Sequence, residues 1–298
     1  MARAGAAGLV VLACGCQADG PSGDGGATAG GSPRVTSESP RATSASPRAR
    51  PPAVKVPAGV RASYVVYDRK LGRIVLQREV ERTYRSASVV KILLALDYLR
   101  EHRASAADRD LLGLMLRSSD DKAATEFWRR GGRAEVIRRM VPRVGLTETA
   151  PPPSDKPGFW GYTALSAEDV LRTYRYLLEK APKAHRDFVV GQLRKSTPCG
   201  TDGFDQTFGI PSALERPWAV KQGWSGFGTL PAAPCRGGSV QSVAVPDLGL
   251  GRPVLHTTGI VADKIVVVLT LQPPGSSFRA ASARVTALTR QVYRASTR

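Results

Sequence analysis

Ser88 and Lys91 are the first residues whose types and spacing could do chemistry, in the run Ser88-Val89-Val90-Lys91-Ile92-Leu93-Leu94-Ala95-Leu96. Three positions apart on a helix, a hydroxyl and an amine share one face. The flanking residues are apolar almost all round, as in a helix buried inside a domain. Burial disfavours the charged amine. A neutral lysine beside a serine is a nucleophile with its general base. The spacing alone is weak evidence, because a second Ser-x-x-Lys runs from Ser119 to Lys122. Taken singly, Ser88 reads equally well as a helix-entry residue and Lys91 as a surface lysine.

Order along the chain adds weight. Ser119-Asp120-Asp121 opens a helix carrying Ala123, Ala124 and Phe127, and Lys221-Gln222-Gly223-Trp224 lies on a late strand. The surrounding elements must bring these three points together. Residues 62–68 and 74–77 are β-rich runs around a Gly72 turn, a hairpin. Helices are predicted over 86–99, 106–117, 119–130, 133–141 and 182–195. A capping box, Ser166 to Asp169, opens another with Val170, Tyr174, Leu177 and Leu178 on one face. Strands return at 218–221, 254–260 and 264–271. A last helix shows Phe278, Ala281, Val285, Leu288 and Val292 at helical spacing. Strands at both ends around a helical middle predict an α+β fold: an antiparallel sheet from both chain ends, packed helices and an inserted all-helical lobe.

The ordered set Ser88-x-x-Lys91, Ser119-Asp120-Asp121 and Lys221-Gln222-Gly223 resembles the motifs of the serine β-lactamase and penicillin-binding protein (DD-peptidase) superfamily. Ser119-Asp120-Asp121-Lys122-Ala123-Ala124-Thr125, Trp160-Gly161-Tyr162-Thr163 and Lys221-Gln222-Gly223-Trp224 make it more similar to serine-hydrolase-like lipoproteins of actinobacteria. The resemblance spans about residues 60 to 295 and implies a β-lactamase/transpeptidase-like fold. It implies Ser88 as acylated nucleophile and Lys91 as its proton acceptor. Ser119 would relay a proton to the leaving group, and Lys221 would attract an anionic substrate group. The backbone N–H groups of Ser88 and Trp224 would form the oxyanion hole, with Asp121, Gln222 and Gly223 lining the substrate site. The chain departs from the pattern at Asp121, where the superfamily has Asn, and at Gln222, where it has Thr or Ser. Between Gly145 and Thr163 there is no Glu-x-x-Asn, and Glu148 is the carboxylate nearest the expected place. In class A β-lactamases that glutamate positions the water that clears the acyl-enzyme, so slow deacylation is expected. The implied function is an exported serine hydrolase acting on a cell-wall peptide or a related amide or ester and turning β-lactams over poorly. A class A-like β-lactamase and a catalytically silent, envelope-binding relative are the alternatives.

The N-terminus bears on location. Arg3 precedes the apolar run Leu9-Val10-Val11-Leu12, too short to span a bilayer and typical of a secretory signal. Val11-Leu12-Ala13-Cys14 resembles the bacterial lipobox, with Cys14 lipidated and Cys16 a second candidate. The expected organisation is a lipoprotein signal at 1–16, a disordered Gly/Ser/Pro-rich tether at 17–57 and a domain at 58–298. That domain divides into an α/β lobe (58–87 and 212–298) and a helical lobe (88–211). The expected place is the extracellular face of the cell membrane, lipid-anchored or secreted. In such a setting Cys199 and Cys235 are expected to bridge.

Of 298 residues, 43 are Lys or Arg against 25 Asp or Glu, a net charge of +18, and 33 of the 43 are Arg spread along the chain. A diffuse field of that kind draws anionic polymers and membrane surfaces without selecting one. No recognition helix, zinc finger or aromatic RNA-binding pattern accompanies it, so nucleic acid is not expected as a partner. His102, His185 and His256 are far apart and have no Cys or carboxylate at metal-ligand spacing. No metal or other cofactor is expected. Gly226-Phe227-Gly228 and Gly237-Gly238 read as turns rather than phosphate cradles. Trp160, Trp218 and Trp224 read as packing aromatics with some capacity to line a groove.

Overall fold

The computed structural model describes residues 54–228, 231, 235 and 252–297. The signal segment with Cys14 and Cys16, the tether as far as residue 53, and Gly237-Gly238 lie outside the described residues. The described residues belong to one compact unit.

Its frame is a five-stranded sheet. The hairpin strands β1 (Arg61–Asp68) and β2 (Arg73–Arg78) meet β5 (Trp218–Ser225), β6 (Val254–Val261) and β7 (Lys264–Leu271) in the order β2-β1-β7-β6-β5. Every neighbouring pair is antiparallel. The strands read as continuous apolar runs because the sheet is covered on both faces. Val65 and Tyr67 of β1 and Val267 and Leu269 of β7 join the core under the helical lobe. Tyr64, Val66, Val266 and Val268 alternate with them and pack on the other side against Leu288 and Val292 of the C-terminal helix α8 (Phe278–Ala295).

That parity decides the fate of β5. Ala219 belongs to the core on the helical side, and Trp218 and Val220 to the core on the α8 side. Successive strand residues point to opposite faces, so Lys221 and Gly223 face the helical lobe and Gln222 faces α8. β5 is also an edge strand, leaving one side of its backbone open beside the lobe.

The lobe comprises α1 (Lys91–Glu101), α2 (Ala106–Arg117), α3 (Asp121–Arg130), α4 (Ala134–Val144), α5 (Ala167–Arg175) and α6 (Lys183–Arg194), while the one-turn α7 (Ile210–Ala213) packs on the other face with α8, where Ile210 joins that core. The lobe is not wholly helical. Thr83–Arg85 (β3) and Ala164–Ser166 (β4) form a separate two-stranded ribbon that ties the chain entering α1 to the chain entering α5. Three-residue strands carry too little alternation for sequence periodicity to reveal them.

Caps set the helix starts. The side chain of Ser105 accepts from Asp108 N and the Asp108 carboxylate accepts from Ser105 N, a complete capping box on α2. At the box expected from Ser166, only half forms: Ser166 Oγ accepts from Asp169 N at 3.1 Å. The buried Asp169 carboxylate instead accepts from Thr147 N, Glu148 N and Thr149 Oγ1 at 3.0, 2.8 and 2.7 Å. A buried carboxylate needs such donors, and the loop after α4 supplies them.

Candidate active site

Ser88 and Lys91 do not share one α-helix. Residues Ala87–Val90 form a 3-10 turn, and α1 starts at Lys91. Ala87 has φ +45°, a left-handed conformation that a residue with a Cβ adopts only when its surroundings hold it there. Strand β5 does the holding. A Cβ on Gly223 would lie 3.1 Å from Ser86 O, 3.1 Å from Val89 Cγ2 and 3.3 Å from the Ser88 amide nitrogen. Glycine at 223 is what lets the edge strand come this close to the turn. Among the described residues, the Ser88 hydroxyl has no hydrogen-bond partner. The residue is 5% exposed.

Behind Ser88 two amines converge on one hydroxyl. Lys221 Nζ lies 2.8 Å and Lys91 Nζ 3.3 Å from Ser119 Oγ. Lys91 also donates to Ser119 O and to Asp121 Oδ1, each at 2.6 Å. Ser119 has φ +55° and precedes α3, whose Ala123 N–H is capped by Asp120 Oδ1 at 2.7 Å. The left-handed turn brings both the carbonyl and the hydroxyl of Ser119 to Lys91.

Both lysines are sealed from solvent. Burial pushes the Lys91 amine below its usual range, with the Asp121 charge opposing the shift. Lys221 falls well below the usual range, through burial first and then through the charge of Lys91. No carboxylate hydrogen-bonds Lys221 among the described residues, so it loses its proton more readily than Lys91. The Trp160 ring, 4.6 Å from Lys91 Nζ, forms another wall of the site, and its indole N–H donates to Thr125 Oγ1 at 3.2 Å.

Of the residues the sequence singles out, Ser88, Lys91, Ser119, Asp121, Lys221 and Gly223 are brought together. One does not join as expected. Gln222 is buried on the α8 face and its amide nitrogen donates to Phe208 O, which turns it away from the Lys221 cluster. Trp224 has its backbone on the edge strand, and its indole packs toward Phe204 and Phe208. No hydrogen bond joins Lys91 to Ser88; those of Lys91 go to Ser119 and Asp121.

A residue without a motif joins the site. Asp202 Oδ2 accepts from Trp224 Nε1 at 2.9 Å, and Thr201 N, one residue earlier, donates to Ser118 O at 2.9 Å. The loop thus bridges the Ser119 turn and the edge of β5. Thr201-Asp202-Gly203 reads in sequence only as a turn. A disulfide joins Cys199 to Cys235, with Cα atoms 5.6 Å apart, and Cys235 N donates to Gly203 O at 3.0 Å. His256, which reads in sequence only as a surface or core histidine, is buried on β6 opposite Gly223. Its Nδ1 accepts from Thr270 N at 3.2 Å, so Nε2 carries the proton that it donates to Arg85 O at 3.0 Å. Among the described residues no His, Cys and carboxylate cluster could hold a metal ion.

The fold is β-lactamase-like. The chain is similar to a class A β-lactamase from Mycobacterium abscessus, at TM-score 0.57 and 16% identity over 80% of this chain and 94% of that one. It is similar also to a β-lactamase from Chitinophaga pinensis, at TM-score 0.58 and 12% identity over 80% and 94%. In sequence it is 39% identical over 175 residues to proteins described as "Putative lipoprotein LppW" in Mycobacterium tuberculosis and Mycobacterium bovis. The match covers 56% of this chain and 54% of those proteins, so the chain spans about half the length of the curated relatives it matches. No family model matches the chain.

Proposed function

We propose that the protein is an exported serine acyl hydrolase that forms an acyl-enzyme on Ser88 with a cell-wall peptide or a related amide or ester. The observation that carries this reading is the Ser119 hydroxyl between two buried amines, 2.8 and 3.3 Å away, one of them on the strand whose Gly223 approaches Ser88. In the first step Ser88 Oγ attacks the carbonyl carbon and its proton passes to neutral Lys91. The developing oxyanion is met by the Ser88 and Trp224 backbone N–H groups. Ser119 then hands a proton to the departing nitrogen or oxygen and is reprotonated from the amines. Water completes the cycle.

Release should be slow. The segment between Gly145 and Thr163 has no Glu-x-x-Asn, its Asp155 pairs with Lys156, and the backbone at Thr147 and Glu148 is bound by the Asp169 carboxylate. Intact-mass measurement after incubation with a penicillin is therefore expected to show one persistent adduct, absent in Ser88→Ala. An unmodified but folded wild-type sample would refute the nucleophile. A second reading, a silent binding relative, draws support from the three acceptors that hold Lys91 away from Ser88, and the same measurement separates the two. The description of the relatives as lipoproteins supports Cys14 as the anchored residue, and no helix among the described residues is long and apolar enough to cross a membrane.

A further inference from the structure

We propose that Asp202 is a specificity residue of this site and that the substrate group seated beside Lys221 and Trp224 is an ammonium, not a carboxylate. The reaction it serves rests on the acyl-transfer reading above; the charge preference does not.

The motif pattern alone implies that Lys221 draws an anionic group. The charges around it say otherwise. Lys91 feels the carboxylates of Asp121, Asp202 and Asp120, and Lys221 feels Asp121 and Asp202 together with the repelling charge of Lys91. Lys91 thus faces three carboxylates, and two of them also act on Lys221. The overall +18 of the chain does not reverse this, because salt screens distant charges over about 10 Å while contact neighbours are screened far less.

The three carboxylates are not equivalent. Asp120 caps α3 and Asp121 is paired with Lys91. Asp202 accepts only from neutral donors, Trp224 Nε1 at 2.9 Å and Phe204 N at 3.2 Å. A carboxylate offers about four lone-pair sites, so Asp202 keeps capacity for a cation. It is also fixed in place. A Cβ on Gly200 would come within 2.5 Å of Asp202 Oδ1 and 3.0 Å of the Trp224 ring. Gly200 N donates to Phe204 O at 2.9 Å, and the Cys199–Cys235 bond closes the loop. A substrate carboxylate here would meet like charge, whereas an ammonium would find a pre-positioned acceptor. Burial, aided by the Asp121 charge, already raises the proton affinity of Asp202, a cost that a bound cation relieves. The Arg85 guanidinium donates to Ser225 and to the carbonyl oxygen of Arg252.

The test compares hydrolysis of 3-(trimethylammonio)phenyl acetate with that of 3-carboxyphenyl acetate, each divided by its uncatalysed rate. The expected kcat/KM ratio favours the cation by about tenfold or more, a discrimination of roughly 1.4 kcal/mol. Asp202→Asn should reduce that ratio about tenfold, mainly through KM, and Asp202→Glu should retain most of it. A ratio at or below one, or one unchanged in a folded Asp202→Asn protein, overturns the proposal. Calorimetry on Ser88→Ala with phenyltrimethylammonium and with benzoate reads the same preference without turnover. If that variant prefers the cation while no ester reacts through Ser88, acyl transfer is wrong and the role of Asp202 stands. If release depends on Ser88 but shows no charge preference, acyl transfer stands and the role of Asp202 is wrong. Binding of neither ion, or tighter binding of benzoate, also overturns the proposal.

Discussion

A serine hydroxyl has one proton and two lone pairs, so Ser119 can accept from both amines and still direct its own proton into the site. Asp121 is what holds Lys91 in the charged form, by an ion pair of 2.6 Å to a sealed amine. Asp121→Asn removes that support, and an opposite charge at such range typically moves a pKa by about one to three units. As Lys91 must be neutral to take the Ser88 proton, its loss of proton affinity moves the acid limb of the acylation profile to lower pH. The variant should therefore acylate about tenfold faster than wild type at a pH on that limb, as followed by the rate of adduct formation. An unmoved limb would show that Lys91 is not the base. Asn is also what the resembled superfamily carries here, so the substitution asks whether this chain has been slowed by one oxygen.

At the scale of elements, β6 stabilises the site through His256. Burial pushes its ring down to about 4 from an ordinary 6.5. Between these values the unfolded chain binds more protons than the folded one, so stability rises with pH across the window and is lost on acidification. The group accounts for about 3 kcal/mol between pH 7 and pH 4. Denaturant titrations at pH 7, 5.5 and 4 should show this loss, and His256→Gln should be weaker at pH 7 but flatter in slope. Equal slopes would refute the assignment. The elements differ in how readily sequence reveals them. β1, β2 and β7, and helices such as α2 and α8, carry enough period or apolar length to be read directly. The 3-10 turn at Ser88 reads as helix in sequence because its cause, the approach of Gly223 from a strand 135 positions later, leaves no local pattern. Motif alignment puts Gln222 in the substrate site, whereas strand parity, countable from Trp218 onward, sends it to the other face. Asp202 has no signal at all beyond a turn.

Over the whole molecule, the two lobes are joined by contacts distant in sequence, and the Cys199–Cys235 bond closes a 36-residue loop that contains all of β5. Loop-closure entropy of that size is worth about 3–4 kcal/mol. Cys199→Ser with Cys235→Ser should lower the unfolding free energy by an amount of this order. It should also weaken the cation preference attributed to Asp202, since the same bond holds that loop. A double variant as stable and as selective as wild type would show the loop to be held by its hydrogen bonds alone. The placement of β1 has a different bearing. One of its partners is the next strand, but the other, β7, is almost the last, and Asp68 meets Lys264 across 196 positions. The sheet therefore cannot close before β7 has been made, and pairings this remote form slowly. A polypeptide whose sheet stays open that long can be threaded through a translocation channel without first being unfolded.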